Sequence, residues 1–257
     1  MHHLIIDGIR LECRRIAGAE PTLVFLHEGL GSVSLWRDFP DRVAAATGLA
    51  ALVYSRQGYG GSSPVPVPRP LDYMQREGTD GVPRVLDALG LERVILIGHS
   101  DGASIALVNA ALDRTERVAG LVVMAPHSFV EDMCTAAIAE ARTAYETTEL
   151  RARLARHHGD NVDCAFWGWN RAWLDPGFKA WNIQEYLPSI RAPVMVIQGW
   201  QDEYGTESQV EAITRLVPAG AETVMLDKCG HSPHKDQPEA TLAAIAGFVA
   251  RIRPPAA

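Results

Sequence analysis

Apolar and polar positions divide this chain into two alternating kinds of segment. Short runs are apolar almost throughout, and longer stretches carry apolar residues at helical spacing. The runs Leu23-Val24-Phe25-Leu26, 50–54, Val94-Ile95-Leu96-Ile97, 118–125, Val194-Met195-Val196-Ile197 and Thr223-Val224-Met225-Leu226 read as strands. Being apolar on every side, they fit strands buried on both faces of a sheet. Ahead of them, Asp7-Gly8 sits between partly alternating apolar residues in 4–13, which predicts an antiparallel hairpin at one edge. Helical spacing covers 35–46, 103–112, 207–217 and 238–251, and also 71–89, where Gly78, Gly81 and Pro83 predict a break. Strands alternating with helices through short loops predict an α/β fold. Its sheet is mostly parallel and twisted, of about eight strands, with helices on both faces.

From 129 to 187 the pattern changes. No convincing strand occurs, apolar residues recur at helical spacing, and Trp167, Trp169, Trp173 and Trp181 crowd together. This predicts a helical cap over 128–187 inserted into a core made of 1–127 and 188–257. A length of 257 residues suits one large domain carrying such an insertion. The proline-rich passage 64–70 is irregular but short enough to stay within the core.

Composition narrows the partners. With 24 Lys and Arg against 31 Asp and Glu, the formal net charge is −7, which excludes nucleic acids and anionic membrane surfaces as partners. No apolar run approaches the roughly 20 residues that span a bilayer, and 1–6 lacks the pattern of an export leader. The expectation is a soluble, cytoplasmic protein acting on a small molecule; oligomeric state is left open. Cys13, Cys134, Cys164 and Cys229 show no C-x-x-C spacing, so free thiols are expected rather than a metal or redox pair.

Candidate chemistry centres on Gly98-His99-Ser100-Asp101-Gly102, which follows a strand and opens a helix. A G-x-S-x-G turn suits a strained nucleophile, because the missing side chains let strand and helix close up around Ser100. A helix capped by Ser would look similar. What separates the two readings is the rest of the chain. Asp202 and His231 also follow predicted strands, in the order Ser, Asp, His, and strand C-terminal ends converge in such sheets. A serine hydroxyl needs an imidazole to take its proton and a carboxylate to orient that imidazole.

With these residues the chain resembles the α/β-hydrolase superfamily, in its serine-esterase and carbon–carbon-hydrolase branch with a helical cap. The likeness runs through Leu26-His27-Glu28-Gly29, Arg56-Gln57-Gly58-Tyr59-Gly60-Gly61-Ser62, the serine turn, Gly199-Trp200-Gln201-Asp202 and Gly230-His231-Ser232-Pro233. It implies Ser100 as nucleophile, His231 as base and Asp202 as orienting carboxylate, in preference to the adjacent Glu203. It also implies backbone donors to the oxyanion at Asp101 and Gly29. Glu28 departs from the glycine usual there. Its carboxylate either turns to solvent or to Arg56, or it reads a substrate group or tunes His231. Arg56 resembles a family arginine that braces loops. His127, Trp167 and Trp169 are candidates for the pocket wall. His231, His234 and Asp236 lack the spacing of a metal motif, so no metal and no cofactor are expected.

The implied activity is hydrolysis of a small or medium, partly apolar carboxylic ester or thioester through an acyl-enzyme. Two alternatives share the scaffold: carbon–carbon bond hydrolysis of a diketone-like ring-fission product, and a receptor that holds a small ligand without turnover.

Overall fold

The computed structural model describes residues 2–252. Eight strands form one sheet: β1 (His2–Ile6), β2 (Ile9–Ile16), β3 (Ala19–Leu26), β4 (Leu49–Tyr54), β5 (Val94–His99), β6 (Val118–Met124), β7 (Val194–Gly199) and β8 (Glu222–Leu226). Their order is β1-β2-β4-β3-β5-β6-β7-β8. β1 and β2 form the antiparallel edge hairpin, whose turn puts Asp7 and Gly8 at φ 49° and 79°, and β3 to β8 are parallel. The helices are α1 (Phe39–Thr47), α2 (Tyr73–Arg76), α3 (Val82–Ala88), α4 (Asp101–Leu112), α5 (Asp132–Thr147), α6 (Leu150–His158), α7 (Val162–Trp173), α8 (Glu207–Leu216), α9 (Pro233–Asp236) and α10 (Pro238–Ile252).

The apolar strands divide their residues between two cores with a period of two. Leu23, Phe25, Ile95, Ile97, Val122 and Met124 pack against α1 and α10. Val24, Leu26, Leu96, Leu121 and Val123 face the other way, toward α3, α4, α8 and the inserted helices. This two-sided burial is why the strands read as continuous apolar runs.

Two helix boundaries differ from the sequence pattern. The helix expected over 35–46 is split: a 3₁₀ turn covers Val33–Trp36, Arg37 takes φ 54°, and α1 starts two residues later with Pro40 in its first turn. Proline fits the start of a helix but not its interior. Conversely, the break expected within 71–89 is absent. Glu77–Gly81 form a π-helical turn that joins α2 to α3. Gly78 belongs there because a Cβ would come within 2.8 Å of Val108 on α4.

Between β3 and β5 the chain changes direction across the sheet. From β3 it runs to β4 on one side, and the next strand, β5, lies on the other. Loops leaving the ends of β3 and β5 therefore diverge and leave a crevice, the usual ligand position in such sheets.

The corner at the end of β5 is built on contact. A Cβ on Gly102 would meet the Leu26 carbonyl oxygen at 2.0 Å, and one on Gly98 would meet the Gly102 carbonyl oxygen at 2.4 Å. Both obstacles are backbone and cannot swing aside. Gly102→Ala is expected to destabilise the fold by about 1–3 kcal/mol, the usual cost of overpacking a closed site. Thermal denaturation reads this as a lowered Tm; a Tm unchanged within error would contradict it.

Candidate active site

Ser100 occupies the corner between β5 and α4 with φ 52° and ψ −120°, a conformation that side chains other than glycine rarely adopt. Its amide is pinned by donation to the Met124 carbonyl at 2.9 Å. The hydroxyl is thereby held off the end of the sheet. His231 Nε2 lies 2.9 Å from Ser100 Oγ, and His231 Nδ1 lies 2.9 Å from both carboxylate oxygens of Asp202. Positions far apart in the chain thus form one hydroxyl–imidazole–carboxylate line. Such a line can draw a proton from the hydroxyl and stabilise the resulting imidazolium.

Asp202 is held in place independently. Gln198 Nε2 donates to Oδ2 at 2.7 Å and the Tyr204 amide donates to Oδ1 at 2.8 Å. Burial by itself would raise this carboxyl's pKa; the facing His231, by charge and hydrogen bond, and the Tyr204 amide outweigh it and hold it below the ordinary range. Asp202 does not cap α8, whose N-cap is Thr206. Glu203 touches only the main chain of His231, accepting from its amide at 3.3 Å. His231 is also anchored through its carbonyl, which accepts from His99 Nε2 at 2.6 Å.

The loop after β3 is braced from beneath. His27 donates through Nδ1 to the Glu28 carbonyl at 2.7 Å and accepts the Arg56 amide at Nε2 at 3.0 Å. The Arg56 guanidinium donates to the carbonyls of His27 and Glu28. Arg56 thus braces this loop and does not pair with the Glu28 carboxylate. That carboxylate lies 3.6 Å from Lys235 Nζ and 3.5 Å from His99 Nδ1. Burial would raise the Glu28 pKa, but Lys235 and His99 overcome it and hold the carboxyl well below its usual range.

A cavity of about 230 Å³ opens over Ser100. Glu28, Gly29, Leu30, His127, Trp169, Trp173 and Tyr204 contribute to its wall. Gly29 lines the same cavity as Ser100. Asp101 is fully buried and opens α4, so its amide is among the orphan donors of the helix start. Trp167 is a correction: it is not on this wall. It faces outward beneath Arg142 and Arg171, edge-on to Phe166 and Tyr145, because helical spacing turns it away from the face that carries Trp169 and Trp173. Trp181 packs on Phe178 and donates to Gln75 Oε1 at 2.9 Å.

Several wall residues escaped the sequence reading: His99, Cys134, Ile138 and Tyr204. Two of them carried a positional signal, His99 immediately before Ser100 and Tyr204 two residues beyond Asp202. Beneath the wall, Trp173 Nε1 donates to the Tyr73 hydroxyl at 3.1 Å, and that hydroxyl donates to the buried Asp101 carboxylate. Another cavity, of about 270 Å³, lies between the edge hairpin and α2–α3; Arg56 and Tyr73 line it, but Ser100 and His231 do not.

The chain belongs to the alpha/beta hydrolase family, whose model matches residues 23–245. Among individual relatives, it is 26% identical over 237 residues to the carboxylesterase YbfK of Bacillus subtilis (strain 168), covering 85% of this chain and 77% of that one. It is 25% identical over 245 residues to the dihydrolipoyllysine-residue acetyltransferase component of the acetoin cleaving system of Cupriavidus necator. That match takes in 88% of this chain but spans only 63% of the relative's length. Among solved structures, a thermophilic esterase from Thermogutta terrifontis superposes with a TM-score of 0.73 at 19% identity, over 99% of this chain and all of that one, a likeness of fold. Among the described residues, no helix is long and apolar enough to cross a membrane.

Four histidines around this framework are held neutral by burial. His127 is pushed down to about 4, first by desolvation and then by the charge of His231. His27, His158 and His234 are also lowered, with desolvation the largest cause for each. On unfolding, each regains an ordinary histidine pKa of about 6.5 and binds a proton that the folded state refuses. Stability is therefore full above pH ~6.5 and falls as pH drops through the window from ~6.5 to ~4. Chemical denaturation across pH 4–8 should show this slope, and His127→Gln should make it shallower by the share of one of the four histidines. Stability independent of pH in that window would contradict the assignment.

Proposed function

We propose that this chain is a serine hydrolase that cleaves a small or medium, partly apolar carboxylic ester or thioester through an acyl-enzyme. The observation that carries the reading is the continuous line from Ser100 Oγ through His231 to Asp202, with both links at 2.9 Å. Ser100 attacks the acyl carbon while its proton passes to His231 Nε2, and the carbonyl π pair moves onto oxygen. The amides of Asp101 and Gly29 receive that oxyanion. Collapse restores the carbonyl and expels the alcohol or thiol with the proton from His231. Water, deprotonated by the same imidazole, then releases the acid and regenerates Ser100.

The wall supports a substrate that is small and partly apolar. Leu30, Ile138, Trp169 and Trp173 supply apolar surface, and the cavity holds about 230 Å³. The inserted helices α5 and α7 contribute Cys134, Ile138, Trp169 and Trp173 to that wall, so we take 128–187 as a cap that sets acyl shape. Two observations weigh against the alternatives. Glu28 and Glu203 line the cavity whereas no Arg or Lys does, which ill suits the carboxylate of a dienoate ring-fission product. A receptor without turnover has no need of a complete hydroxyl–imidazole–carboxylate line. No cofactor enters this chemistry.

Three variants test the reading on aryl acetates. Ser100→Ala should abolish both turnover and labelling by a fluorophosphonate. Asp202→Asn should lower kcat by about 10³–10⁴-fold, because the imidazole then loses its orienting acceptor. Glu203→Gln should cost at least about tenfold less than Asp202→Asn, since Glu203 meets His231 at its main-chain amide and not at its ring. Labelling that survives in Ser100→Ala, or equal losses in the two carboxylate variants, would overturn the assignment.

A further inference from the structure

We propose that the indole N–H of Trp169 is a third donor to the oxyanion, supplied by the inserted helix α7 rather than by the sheet. This rests on the reading of Ser100 as nucleophile. Trp169 is 6% exposed and lines the same cavity as Gly29, Ser100 and His231. The five-membered edge of its ring lies directly against Gly29: a Cβ at that glycine would come within 2.3 Å of both Cδ1 and Nε1 of Trp169. The indole N–H is thereby placed beside the loop that offers the Gly29 amide.

That N–H is also free. The indoles of Trp173 and Trp181 donate to Tyr73 and Gln75, whereas Trp169 Nε1 has no acceptor among the described residues. Nor is it sealed in the interior, as the unpartnered Trp36 Nε1 is. A mostly buried indole usually finds a partner for its N–H. Here the partner is missing on a ring that lies against Gly29 and lines the cavity shared with Ser100.

The ring is held in position without help from a ligand. Phe166 packs edge-on with centroids 6.0 Å apart. Helix α7 is tied down by Asn170, whose amide donates to the Ile138 carbonyl at 3.0 Å, and by the link from Trp173 to Tyr73. A donor fixed before the reaction stabilises developing charge without the cost of reorganising. Of the polar atoms an ester brings, the carbonyl oxygen is the one that lies beside Gly29 when its carbon faces Ser100 Oγ. As the Oγ–C bond forms, the π pair moves onto that oxygen and Trp169 hydrogen-bonds to it. The indole gives up no proton, so the balance of the acyl-transfer step is unchanged.

Trp169→Phe keeps an aromatic face and removes the donor. On aryl acetates it should lower kcat by about 10–100-fold, less than the loss typical of a principal oxyanion donor, with KM within about twofold. Its affinity for an alkyl trifluoromethyl ketone, which forms a tetrahedral oxyanion on serine, should fall by a similar factor. In the wild-type protein, the Trp169 indole proton should shift downfield in NMR spectra when this ketone is added, a readout that needs no folded variant. The proposal is overturned by an unmoved indole resonance, by an unchanged kcat, or by a loss confined to KM, which is what an apolar wall alone would give. Should Ser100 form no adduct with a fluorophosphonate, the nucleophile reading itself falls and takes this proposal with it.

Discussion

The structure depends on one close approach of backbone to backbone, where the start of α4 meets the end of β3. No side chain fits at Gly102 because the Leu26 carbonyl oxygen already occupies the space. Strand, corner and helix are pressed together there, and Ser100 accepts a left-handed backbone as the result. A strained residue persists only where its surroundings over-determine it. The Met124 carbonyl, the Gly98 contact and the full burial of α4 supply those surroundings. The same squeeze brings the loop of Glu28 and Gly29 next to the serine corner, so that the proposed nucleophile and its proposed backbone donors come from two strands locked in register.

Much of this was legible in residue order, because the relevant signals are local. A strand buried on both faces must be apolar throughout, so β3 to β7 announced themselves, and the Asp7-Gly8 turn announced the edge hairpin. Ser100, Asp202 and His231 were legible as candidates because each follows a strand in a sheet whose strand ends converge. The structure joins them at hydrogen-bonding distance.

What residue order hid is set by packing between distant segments. Helical spacing separates Trp167 from Trp169 and Trp173, but only the rotation of the helix against α5 and the sheet decides which face meets the cavity and which meets two arginines. Glu28 was equally opaque. Arg56 looked like its natural partner, yet the guanidinium is spent on carbonyl groups, and the carboxylate turns to Lys235, which follows His231 by four residues. The helical continuity through Gly78 and Gly81 was hidden for the same reason, since contact with α4 overrides the weak local propensity of those glycines.

The chain from Trp173 to Tyr73 to Asp101 makes the insertion less of a separate module than its place in the sequence suggests. Its last helix terminates a polar network rooted in the residue that follows the serine, so the roof and the floor of the chamber share one buried carboxylate. Burial raises that carboxyl's pKa against the opposing pull of Arg56 and Tyr73. Exchanging the roof for one from a relative would strand the tyrosine hydroxyl without its indole donor and disturb the serine corner of the chamber. Changes to the chamber wall are thus more readily reached by single replacements along the inner face of α7 than by transplanting the whole segment.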